Sequence, residues 1–438
     1  MKLLCRLAPL MVIGLSLPGP AFSESEAPRP LPLEEAVAIA LKQNPAISAA
    51  ANASEAAGAG VIQAKSGRWF SLDADMLGQR TFRISPLAGQ LGFALQDTLS
   101  TVVTFTQPLS TGGKVEALVA QARAGRDASL SSLRLARQQV AFQTRQAYYA
   151  ALLAAEAAQV AEEAKKSADE HLRIARVRFE AGAAPQFDVL QAEAFVARSE
   201  QTLIRAKNAA EASQIALNTA MGVPAGERFQ LISPGLRQAP AEPLESLLSE
   251  AEKERPDLDQ LRRQAQAARA SISAAKADRK PSLSFIATYT GLSPESSFSV
   301  SGYDAFLAAH LNLMNGNRAE AGIAQAVSYH KAALDSVERL RQSVVLDVRS
   351  AHLDIAAARA ALEAADKEVT QATEAHRVAV VRYNEGMGTS VEILDAEAQL
   401  SGARNRRSQA RFEYNLALAH LDLAVGRDPQ TDRPNSRS

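Results

Sequence analysis

Cysteine is almost missing from this chain: one residue, Cys5, among 438. It sits in a stretch with the marks of an export signal. Lys2 and Arg6 give a basic start, "LAPLMVIGLSL" (7–17) an apolar centre, and "AFS" before Glu24 a small-residue cleavage site. Residues 1–23 read as a signal peptide, so the mature chain is expected to carry no thiol. That excludes disulfides, cysteine-bound zinc, a cysteine nucleophile and a lipid-modified N-terminal cysteine. A membrane anchor is the competing reading, but residues 7–17 fall short of the ~20 apolar residues a spanning helix needs.

Long apolar runs are also lacking. Nothing after the signal approaches ~18 consecutive apolar residues, which excludes a transmembrane helix but not a β-barrel. Aromatics are 5% and charged residues 22%, with alanine throughout, a composition suited to long, closely packed helices. The 48 basic and 48 acidic residues balance, and nothing points to a nucleic-acid partner. Catalytic signatures are missing as well. The histidines at 171, 310, 330, 352, 376 and 420 form no H-E-x-x-H pair, and no G-x-S-x-G occurs. "TGGK" (111–114) lacks the first glycine and final Ser/Thr of a phosphate loop and reads as a strand-to-helix turn. No enzyme, cofactor or metal site is expected. His376 falls on a helical seam and reads as a packed or lining residue.

What is present is a duplication. "RFEAGAAPQFDVLQAE" (178–193) returns as "RYNEGMGTSVEILDAE" (382–397). At this spacing Gly112 answers Gly316, Arg145 answers Arg349, Leu217 answers Leu421 and Gly222 answers Gly426. The starts match at a spacing wider by seven: "LPLEEAVAIALKQNP" (31–45) with "EPLESLLSEAEKERP" (242–256). The second copy therefore carries a deletion between about 285 and 311. Repeat one is read as 31–224 and repeat two as 242–428, a tandem pair rather than a many-unit solenoid.

Two kinds of segment alternate in each copy. Residues 126–181 and 323–385 contain neither glycine nor proline, and a helix of about 65 residues is about 100 Å long. Alanine recurs every seven residues at 147, 154, 161, 168 and 175, and again at 351, 358, 365, 372 and 379. That stripe, flanked by Val348, Ile355, Leu362 and Val369, predicts antiparallel coiled-coil packing at close approach. The other kind alternates apolar and polar residues. "FSLDADMLGQ" (70–79), "LSTVVTFT" (99–106), "SLSFIATYTG" (282–291) and "YDAFLAAHLNL" (303–313) have the period and length of barrel strands. Each copy thus predicts one hairpin, about 69–109 and about 282–313, with connections at 82–98 and 292–302. The tail 429–438 is polar, proline-bearing and expected to be disordered.

Four strands cannot close a barrel, since outer-membrane barrels start at about eight. Edges left open in lipid cost several kcal/mol per unpaired group. Three chains would give a shared twelve-stranded barrel with a lumen. The competing reading is a soluble periplasmic coiled-coil structural or adaptor protein, which leaves the four alternating segments unexplained.

The duplication, the hairpin in each copy, "PLSTGGK" (108–114) opening the first long helix and the two quoted motifs together resemble the outer membrane factor family, the TolC-like efflux ducts. The resemblance covers residues 31–428. It implies a mainly α fold with membrane β: a homotrimer whose long helices form a periplasmic α-barrel below a β-barrel in outer-membrane lipid. It also implies a periplasmic adaptor (membrane fusion) protein and an inner-membrane transporter, of RND or ABC type, as partners. The expected function is the exit duct of a tripartite efflux or type I secretion system. Gly182 and Gly386 are read as the turns of two helical hairpin tips at the periplasmic mouth. By resemblance, Glu392 and Asp395 form an acidic ring at that mouth, Asp188 is its counterpart in the first copy, and Tyr383 ties neighbouring tip helices. Acids near a helix N-terminus also serve the helix dipole, the ordinary reading of the same residues. Gly388 stands where some members carry a basic residue.

Overall fold

The computed structural model describes residues 29–80, 97–294 and 300–429; the expected signal peptide, the inner parts of both strand connections and residues 430–438 lie outside them. The elements run β1 (Arg29–Leu31), α1 (Leu33–Gln43), α2 (Pro45–Ser66), β2 (Ser71–Arg80), β3 (Asp97–Ser110), α3 (Lys114–Glu180), α4 (Gln186–Met221) and β4 (Phe229–Leu231). The second copy follows as α5 (Leu244–Glu254), α6 (Pro256–Ala277), β5 (Ser282–Pro294), β6 (Val300–His310), α7 (Arg318–Asn384) and α8 (Ser390–Val425).

The two longest helices, α3 and α7, have 67 residues each, about 100 Å at 1.5 Å per residue. Each carries two shorter helices stacked end to end along it. The 22-residue α2 and α6 run toward the strands, and the 36-residue α4 and α8 return from the far end. The stacking points are closely packed. Gly222, at φ 77°, ends α4 against the start of α2, where an added Cβ would stand 2.8 Å from the Gln43 carbonyl. Gly426, at φ 86°, ends α8 against the start of α6, 2.9 Å from the Arg255 backbone. The Asn44 side chain donates to the Ala220 carbonyl at 2.8 Å, and the Arg255 guanidinium donates to the Ala424 carbonyl at 3.2 Å. Different residues thus fasten equivalent joints in the two copies.

The α7–α8 seam follows the sequence pattern. Val344, Val348, Ala351, Ile355, Leu362 and Ala365 are buried at steps of three, four and seven, with Ala358 half-buried between them. On α3 the alanine stripe is buried at Ala161, Ala168 and Ala175. The widest cores lie midway along the long helices. One gathers Leu31, Val37, Ala40, Tyr148, Leu217 and Met221; the other gathers Leu247, Ala251, Val348, Leu418 and Leu421. There the parallel β1–β4 pair closes over Tyr148, whose hydroxyl lies 2.7 Å from both the Leu31 and Ile232 carbonyls and 3.0 Å from the Ile232 amide. Burial pushes the Tyr148 phenol up to about 12, against the Ile232 hydrogen bond.

The strands form one antiparallel sheet in the order β2-β3-β5-β6, so the two hairpins join through β3 and β5. Rows across the sheet keep the alternation. Leu72, Phe105, Ala287 and Ala305 lie in one row; Asp73, Thr104, Thr288 and Asp304 lie in the next, on the opposite face. The free edges are β2 and β6. Strand bounds differ from the sequence pattern in two ways. Backbone pairing carries β3 over 97–110 and β5 to Pro294, and β6 begins at Val300, so the connections are shorter than 82–98 and 292–302. Here the ladder continues past the residues that alternate. At the other end β6 stops at His310, because its partner Ser282 begins β5 and leaves Leu311 and Leu313 nothing to pair with. Among the described residues no helix is long and apolar enough to cross a membrane.

Candidate functional site

Both long helices end in the same turn, at the end of the molecule farthest from the sheet. After α3, the Ala183 amide donates to the Arg178 carbonyl at 2.8 Å and the Gly182 amide to Phe179 at 2.9 Å. After α7, Met387 donates to Arg382 at 2.8 Å and Gly386 to Tyr383 at 3.0 Å. This paired pattern requires a left-handed residue, and Gly182 and Gly386 have φ 70° and 78°. The chain then returns through Pro185 into α4 and through Thr389 into α8.

The second tip holds Glu392 and Asp395. Ser390, Ile393, Ala396, Glu397 and Leu400 bury one face of α8, which leaves Glu392 and Asp395 on the exposed face. Glu392 has local work: its amide donates to Thr389 Oγ1 at 3.3 Å, and its carboxylate lies 3.6 Å from Arg382. In the first copy Asp188 is half-buried in the opening turn of α4, and Gln191 replaces the second acid with its Oε1 buried and unpaired. Gly388 packs tightly: its amide donates to the Arg382 carbonyl at 3.0 Å, and an added Cβ would stand 3.0 Å from the Tyr383 nitrogen.

Tyr383 is buried between the two tips of one chain. Arg178, from α3, donates to the Tyr383 carbonyl at 2.6 Å and sets its guanidinium 4.6 Å from the ring centroid. The His171 ring lies 5.3 Å from the same tyrosine, and its Nε2 is 2.8 Å from Ser390 Oγ. Ile174 and Val380 complete the apolar packing around Tyr383, Ala379 and Ile393. Farther from the tip, Glu397 accepts from Ser167 at 3.0 Å and lies 2.8 Å from His376 Nε2, an approach too oblique for a well-aligned hydrogen bond. Arg404 pairs with Glu163 at 2.7 Å. Burial holds His171 below the ordinary histidine range, against the pull of Asp188. For Glu397, burial is outweighed by His376, Ser167 and Arg404, and its carboxyl sits below the ordinary range.

Sequence reasoning named Tyr383, Asp188 and the acids of α8 but not Arg178 or His171 as their neighbours. The one available signal was Arg178 at the head of the repeated motif. Among the described residues no group of His, Cys, Asp and Glu is arranged to hold a metal ion.

The chain matches the family described as outer membrane efflux protein over residues 36–223 and 247–427. It is 27% identical to outer membrane protein TolC of Vibrio cholerae over 338 residues, 75% of this chain and 77% of that one. It is 25% identical to the alkaline protease secretion protein AprF of Pseudomonas aeruginosa, over 66% of this chain and 62% of that one. The outer membrane channel CmeC of Campylobacter jejuni shares its fold, with TM-score 0.79 at 18% identity over 90% of this chain and 85% of that one. The chain belongs to the outer membrane efflux protein family, the outer-membrane channels of tripartite efflux and secretion systems.

Proposed function

We propose that three copies of this chain assemble into one passive duct, a twelve-stranded β-barrel in outer-membrane lipid continued by a periplasmic helical barrel. The observation that carries this reading is the four-stranded sheet with open edges at β2 and β6. Its apolar face exposes Leu72, Met76 and Leu307 at 65%, 70% and 64%. In lipid such edges must pair, and the alternating direction of the strands lets β6 of one copy continue antiparallel into β2 of the next. A soluble coiled-coil protein has no use for that sheet.

At the opposite end the six tips of a trimer would form the mouth. Asp395, exposed on α8, and Glu392 beside it would ring the entrance with negative charge, supported by Asp188 from the first tip. Such a ring favours cations and disfavours anions in a narrow passage. The resting mouth is narrow and opens when the tips move apart on engaging a periplasmic adaptor and an inner-membrane transporter of RND or ABC type. The transporter sets the substrate. Native mass spectrometry of the detergent-extracted particle tests the assembly. Three chains per particle are expected; a stable monomer would contradict the shared barrel.

A further inference from the structure

The seam between the two hairpins of one chain is built differently from the seam within each hairpin. Within the α7–α8 hairpin the contact is apolar over most of its length. Between α3 and the tip of the second hairpin it is a ladder of polar groups, several of them buried. The rungs are Arg178 on the Tyr383 carbonyl and ring, His171 on Ser390, Ser167 on Glu397, and Arg404 on Glu163. Ser390, Tyr383, His171 and Glu397 are 2%, 3%, 6% and 6% exposed. Partners of this kind fix a register, yet separate more readily than an apolar seam once a charge changes.

We propose that this ladder is a proton-sensitive latch: with His171 neutral it clasps the two tips of each chain together, and protonation of His171 releases the second tip and opens the mouth. The proposal rests on the duct reading and adds to it the residues that hold the tips and the signal that frees them. The surroundings of His171 explain the direction. Its Nε2 meets Ser390, the first residue of α8, where the helix dipole is positive. Its ring shares Tyr383 with the Arg178 guanidinium. An imidazolium there would join two positive neighbours in a buried place. From α4, Asp188 opposes this, and it is half-exposed. The neighbouring charges are already engaged: on α3, Glu170 with Arg173; on α8, Glu397 with Ser167 of α3; and between α7 and α8, Arg382 with Glu392, while the His376 ring lies beside Glu397.

The sign follows from linkage. A histidine held below its ordinary range contributes fully above that range, near 6.5, and loses the contribution as pH falls beneath it. Glu397, also held below its ordinary range, loses its contribution at lower pH still, beneath about 4.5. Both act in the same direction.

The test compares wild type, His171→Gln and Glu392→Gln/Asp395→Asn at pH 7.5 and 5.5, by planar-bilayer conductance and by hydrogen exchange of the detergent-extracted protein. In wild type, open probability should rise by up to about tenfold per latch, the limit for one proton over one pH unit below 6.5. Exchange should quicken at 163–180 and 390–404. His171→Gln keeps a group able to bond Ser390 without titrating, and should stay closed and protected at both pH values. The double carboxamide variant should keep the acid response, which separates the latch from titration of the entrance acids. An acid response that survives in His171→Gln, or none in wild type by either readout, overturns the proposal. An acid response seen in exchange but with no channel in the bilayer would leave the latch standing and sink the duct.

Discussion

At the scale of single residues, the fold depends on a few closely fitted positions. The Tyr148 hydroxyl offers its one O–H to two carbonyls, Leu31 and Ile232, and accepts from the Ile232 amide, in the segments that close the middle of the molecule. Tyr148→Phe should cost about 1–3 kcal/mol, the penalty of buried groups left without partners, read as a lower thermal midpoint in detergent. Its raised pKa adds a pH signature. The wild-type advantage over the phenylalanine variant should hold below pH 10.0 and decline as the pH rises toward 12. The glycines make a second comparison. Gly182 has open space around it, so Gly182→Ala should cost only the left-handed backbone penalty, about 1–2 kcal/mol. Gly426→Ala meets the Arg255 backbone at 2.9 Å as well, and its thermal midpoint should fall further. Equal losses at the two sites would contradict the packed joint. The turn glycines could be read from their place after a glycine-free helix. The clasp around Tyr383 could not, because Arg178 and Tyr383 are 205 residues apart in the chain and His171 and Ser390 are 219 apart. No local pattern announces such a meeting.

At the scale of elements, the alanine stripe sets how closely the helices approach. Ala351 is fully buried where α7 faces α8. Ala351→Leu should overpack that seam and cost about 1–3 kcal/mol, measured by loss of helical circular dichroism on heating. An unchanged midpoint would mean that the seam is looser than described. The lengths of the long helices and the alternation of the strands were legible because each is written into consecutive residues. Two things were not. The alternation of β3 and β5 says which face is apolar but not which strand is the neighbour, so the joining of both hairpins into one sheet came only from the register Val103↔Tyr289 and its neighbours. The end of β6 at His310 was hidden too, since Leu311 and Leu313 continue the pattern while their pairing partner has run out.

At the scale of the whole molecule, the two ends of the chain pose one problem each. At one end is an apolar sheet face with two open edges, which the proposed assembly would complete with other copies in lipid. At the other, the second helical tip carries exposed acids on one face and is clasped to the first by polar groups on the other. A duct with a charged, closable mouth answers both. The most direct measurement is single-channel conductance of the detergent-extracted protein in a planar bilayer, with Glu392→Ala/Asp395→Ala beside the wild type. The account predicts a small cation-selective conductance in wild type, and a larger or less selective one in the double variant. Well-folded particles that never insert, or a channel whose conductance and selectivity ignore both acids, would contradict it: the first at the barrel, the second at the mouth.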